Sequence, residues 1–234
     1  MSKRRQSLYL VFLGILCFAP CIFAQASMDL TSSGNNILDG EYVGPYYATV
    51  NGVANVPIIC DDFKDQSSVG ETWKANVTTV SSNASTMMSK RLGLSAPTES
   101  KDYGEAAYLA QQLMSGAKCP PGTTSCASSD YAGDIQFAIW QVFDPSGAGN
   151  PFSLLSGNDY KNAAAWLSYA SSHAPASSAD SGVLVYSPVG GGPPQEFLGM
   201  PEPGAPFIWA IDFAGLCGML FYLRRRVQTA PAKA

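Results

Sequence analysis

The hydrophobic period of this chain changes twice, and no other feature constrains its fold as much. Residues 42–50 and 53–60 are rich in β-branched and aromatic side chains and flank Asn51-Gly52. That pair suits the positive φ angles of a type I′ turn, so the segment predicts a β-hairpin. Pro57 predicts an edge or a bulge in the second arm. Residues 72–80 alternate around Trp73, Ala75, Val77 and Thr79, which predicts another strand. The spacing then becomes helical. Ala106, Leu109, Ala110 and Leu113 share a face over 103–114, and Ile135, Ile139, Val142 and Phe143 over 131–143, stopped by Asp144-Pro145. Ala163, Trp166, Leu167 and Ala170 mark a third helix over 159–171, and residues 183–187 and 196–199 return to strand. The pattern predicts an α+β fold, an antiparallel sheet or sandwich with an inserted helical part. Gly190-Gly191-Gly192-Pro193-Pro194 breaks regular structure, so the folded domain is expected over 27–189 and a Gly/Pro linker over 190–205.

Charge narrows the classes of function. Residues 27–203 hold seven of the fourteen Lys and Arg but seventeen of the eighteen Asp and Glu, a net charge of -10. A stretch with no basic surface has nothing to neutralise phosphates with, so no nucleic-acid partner is expected. One His leaves too few ligands for a Cys/His zinc site, and no metal or cofactor is expected. Asp61, Asp62 and Asp65 lack the D-x-D-x-D-G spacing of a calcium loop and predict a solvated acidic turn.

The remaining cations sit at the extremities. Lys3-Arg4-Arg5, an apolar run over 8–19 and Ala24-Gln25-Ala26 have the order of a secretory signal peptide, residues 1–26. At the other end Pro201-Glu202-Pro203 precedes an apolar run over 206–223, then Arg224-Arg225-Arg226 in a tail over 224–234. Eighteen helical residues at 1.5 Å each span about 27 Å, enough for a thin bilayer, and the arginines would hold the tail in the cytoplasm. This order of Pro-Glu-Pro, one transmembrane helix and an arginine cluster resembles the PEP-CTERM sorting signal. The resemblance implies an exosortase-type membrane enzyme as partner. It also implies an exported protein, anchored in the membrane at first and then released or re-anchored at the cell surface or in the extracellular matrix.

Of six cysteines, Cys17 and Cys21 fall in the signal and Cys217 in the membrane run, which leaves Cys60, Cys119 and Cys126. Export places them in an oxidising compartment, and the turn-rich segment between Cys119 and Cys126 predicts a local disulfide. Cys60 is the odd thiol, open to inert burial, pairing with another chain, or chemistry.

Ile58-Ile59-Cys60-Asp61-Asp62-Phe63 and the later Ile135-Gln136-Phe137-Ala138-Ile139-Trp140-Gln141 decide between these. An apolar-Cys segment coupled to a Gln-x-Ala-Ile-Trp segment resembles the thioester domain of bacterial surface proteins. Gly70-Glu71-Thr72-Trp73 and Tyr103-Gly104-Glu105-Ala106-Ala107-Tyr108-Leu109 are similar to its Pro-Glu-Pro-tailed members. The resemblance implies an internal thioester between Cys60 and Gln136, opened by an amine on a surface ligand. It implies a covalent adhesion module rather than an enzyme. The alternative is a non-reactive structural protein of the envelope or exopolysaccharide matrix. A Cys60/His173 hydrolase is disfavoured because His173 lies in a Ser/Ala/Pro-rich stretch, a poor support for a base.

Overall fold

The structure is a computed structural model and describes residues 24–79, 86, 90, 92–93, 96–123, 126, 130–145, 150–174 and 182–200. In chain order these form β1 (Ala24–Ser32), β2 (Asn36–Leu38), β3 (Glu41–Val43), β4 (Tyr46–Val50), β5 (Val53–Cys60) and β6 (Thr72–Thr79). Three helices follow, α1 (Ala96–Met114), α2 (Tyr131–Phe143) and α3 (Gly157–His173), with a 3₁₀ turn at Pro151–Ser153. The strands β7 (Leu184–Pro188) and β8 (Phe197–Gly199) end the described part.

The Asn51-Gly52 hairpin forms as its residues dictate, with φ of 51° and 84° at the two turn positions and β4 antiparallel to β5. Val50 pairs with Val53 and Ala48 with Val56, so Ala54 and Asn55 together oppose Thr49 in a bulge, and Asn55 takes a φ of 60°. On the other side of β5, β8 pairs only from Ile58 onward, so Pro57 has one strand neighbour.

The fold is α+β and its main sheet is antiparallel throughout, as expected, but the sheet closes into a barrel, ordered β1-β4-β5-β8-β7-β6, rather than forming a sandwich. The strand that closes it is β1, which pairs with β4 on one side and β6 on the other. Its signal is the alternation Met28-Asp29-Leu30-Thr31, with Met28 and Leu30 buried in the core. Closure removes the open edges that a sheet would leave for other chains to pair with. Ala24-Gln25-Ala26, expected at the end of the signal peptide, are paired in β1 with Val77, Asn76 and Ala75. Residues 190–195, expected to open the linker, connect β7 to β8 instead, and the compact unit extends to Met200.

The core has two parts. One gathers inward residues of all six barrel strands, among them Met28, Ala48, Ile58, Cys60, Ala75, Tyr186 and Phe197, joined by Phe137 and Trp140 of α2. The other packs Ile59, Val185 and Leu198, on the opposite face of their strands, against Leu109, Ile139 and Trp166 of the three helices. Each large side chain so buried contributes about 1.5–3 kcal/mol. Helix α2 starts at Asp130, whose side chain accepts from Gly133 N, and stops at Asp144 before Pro145. The expected transmembrane helix over 206–223 lies outside the described residues. Among the described residues no helix is long and apolar enough to cross a membrane.

Candidate functional site

Cys60 is the last residue of β5, and strand alternation turns it inward with Ile58 while Ile59 faces the helices. Gln136 lies in the second turn of α2, one turn before Trp140 and on the same side. Both residues are wholly buried. The fold brings them together across 76 positions of sequence: the Gln136 Nε2 donates to the Cys60 carbonyl oxygen at 2.6 Å.

The other atom of the amide is held as well. Gln136 Oε1 accepts from the backbone N–H of Gly44 at 3.2 Å. A Cβ at position 44 would come within 2.7 Å of that oxygen, so only glycine allows the approach. The Gln136 amide is therefore fixed at both ends by backbone groups, one from β5 and one from the β3–β4 connection.

The sulfur is a neutral thiol. Burial pushes Cys60 well above its ordinary pKa, and the Asp62 and Asp61 charges push it further the same way. The indole N–H of Trp140 acts in the opposite direction, although it makes no hydrogen bond of ordinary geometry. Cys60 Sγ donates to the Asp62 carbonyl at 3.0 Å. Aromatic rings wall the site. Phe63 lies 5.0 Å from Trp140 and 6.4 Å from Phe137, and Tyr46 meets Phe197 edge-on at 5.8 Å.

The acidic turn after Cys60 is not solvated as expected. Asp61 and Asp62 are both wholly buried. Asp62 Oδ1 accepts from the backbone N–H groups of Lys64 and Asp65, which folds the chain back over the site. Asp61 lies beside Glu196, a wholly buried carboxylate that accepts from Tyr103 and Ser187. Burial first, then the Glu196 and Asp62 charges, raise the Asp61 carboxyl well above the usual range. Among the described residues no group of three or more His, Cys, Asp or Glu is placed to hold a metal.

Cys119 and Cys126 are joined in a disulfide between α1 and α2, which leaves Cys60 as the free thiol among the described residues. His173 is the exposed last residue of α3, its ring stacked on Tyr169, with its hydrogen bonds among the described residues made within its own helix. Pro201, Glu202, Pro203, Arg224, Arg225 and Arg226 lie outside the described residues. Gly44 and Glu196 were not legible as site residues. The available signal was the Gly44-Pro45 break inside the predicted 42–50 arm, which separates β3 from β4.

No family model, characterised protein or solved structure matches this chain. The functional reading therefore rests on the residues and their geometry.

Proposed function

We propose that Cys60 and Gln136 form an internal thioester, and that this exported domain uses it to bond covalently to amines. The observation that supports this best is the Gln136 amide itself, held against the Cys60 main chain with its carbonyl oxygen on an N–H donor. In forming the bond, Cys60 Sγ adds to Gln136 Cδ. Negative charge grows on Oε1, where the Gly44 N–H already points, the arrangement that stabilises a tetrahedral intermediate. The C–N bond then breaks and the thiol proton leaves with the nitrogen as ammonia. Two reactants fixed in one buried site gain an effective concentration of about 10⁵ M or more, which replaces outside activation. The aromatic walls slow hydrolysis by excluding water.

Export, sorting at Pro201-Glu202-Pro203 and delivery to a surface ligand bearing an amine, a protein or a polysaccharide-associated group, belong to the same proposal. Methylamine tests the chemistry. Treated protein should gain a methylamide on Gln136 and a Cys60 thiol that alkylates after unfolding, and Cys60→Ala should show no such gain. An unmodified Gln136 after prolonged exposure would leave the non-reactive structural role in front.

A further inference from the structure

Both reacting groups are wholly buried, so no amine meets them until some element moves. We infer that the β2–β3 hairpin gates the site and that the amine enters through the pocket beside it, an inference that rests on the thioester reading. Among the described residues β2 and β3 are the strands that stand outside the barrel. The hairpin leads directly into Gly44, whose N–H holds Gln136 Oε1. Its two ends meet at one place, because Gly34, at a φ of 73°, lies so near the Pro45 carbonyl that a Cβ would come within 2.7 Å of its oxygen. The segment is thus tied to the barrel at this joint and by the Tyr46 hydroxyl, which donates to the Tyr42 carbonyl beside it.

Its inner face is small. Leu38 sits on Gly133 of α2, where an added Cβ would lie 2.6 Å from Leu38 Cδ2, and Val43 is buried beside it. The paired Ile37 and Tyr42 on its outer face are 55% and 54% exposed. A pocket of about 290 Å³ lies along this edge, lined by Asn36 of the hairpin, Leu113 and Lys118 near the end of α1, and Tyr131, Ala132 and Ile135 of α2. Ala132 and Gln136 are one helical turn apart on the same side of α2. Lifting the hairpin carries the pocket along that side to the Gln136 carbonyl. There the amine nitrogen bonds to Cδ, the C–S bond breaks, and the sulfur takes the amine proton and leaves as the Cys60 thiol.

Leu38→Ala tests the gate. Weakening the closed state should speed methylamine incorporation about tenfold or more, because the rate follows the open population. In a Gln136→Ala background, which cannot form the thioester, Leu38→Ala should speed Cys60 alkylation by iodoacetamide by a similar factor. Both rates should rise only shallowly with urea below the unfolding transition. Unchanged rates in Leu38→Ala, or a urea slope equal to that of global unfolding, overturn the gate. Absence of any thioester defeats the reading beneath it, while the alkylation rates still decide whether the hairpin opens. If Leu38→Ala does not fold, hydrogen exchange of the unmodified protein decides. Amides of residues 36–44 should exchange as a unit ahead of α2 and β5, and exchange in step with those elements overturns the gate.

Discussion

Gly44 has no side chain, yet its N–H is the group that fixes the amide oxygen of Gln136. Gly44→Ala would place a methyl 2.7 Å from that oxygen, so the amide or the β3–β4 connection must shift. With the oxygen displaced from its donor, thioester formation should slow by about 10²-fold. Overpacking of this kind should cost a further 1–3 kcal/mol or so in stability. Intact-mass time courses on freshly folded protein and urea unfolding separate the two effects. A Gly44→Ala variant that forms the bond at the normal rate would remove Gly44 from the chemistry. Cys60 and Gln136 were legible because a thiol left without a nearby partner stands out and because their segments resemble a known pair. A backbone donor leaves no such trace, since any residue but proline carries one.

Three elements meet at the buried carboxyl cluster: Asp61 follows β5, Glu196 precedes β8, and Tyr103 lies on α1. The Asp61 carboxyl is raised, so it keeps its proton in the folded state at pH values where the unfolded chain has lost it. Its favourable contribution is complete below about pH 4, the ordinary carboxylate range, and is lost as pH rises toward the folded value. Asp102, raised to about 6 by burial and then by the Glu105 charge, acts in the same direction as pH rises from about 4 to about 6. The urea midpoint should therefore fall from pH 4 to pH 8. In Asp61→Asn this fall should be shallower, leaving the variant at least as stable as the parent at neutral pH. A midpoint that rises with pH, or an unaltered slope in the variant, would place the proton elsewhere. The elements themselves were unevenly legible. Helix α2 spans the 131–143 that apolar spacing and the Asp144-Pro145 stop predict, and the structure adds the Asp130 cap. Helix α1 begins at Ala96, seven residues before the expected start, because its first turns are polar and carry no apolar stripe. Strand β1 has no counterpart among the expected strands, because its first residues fall within the segment that reads as a signal peptide.

At the scale of the molecule, closure of the barrel was beyond the sequence because it depends on pairings between distant strands. β8 inserts between β5 and β7, and β1 between β4 and β6. Local alternation identifies a strand and its buried face but not its neighbours. The same non-local folding brings Cys60 to Gln136, a contact that periodicity alone does not predict. The most direct measurement is the intact mass of the purified domain, denatured without reduction. A closed thioester has expelled ammonia, so the domain should weigh about 17 Da less than its sequence with the Cys119–Cys126 disulfide formed. A mass equal to that of the disulfide-bonded sequence, with Cys60 fully alkylated once the chain is unfolded, would contradict the thioester.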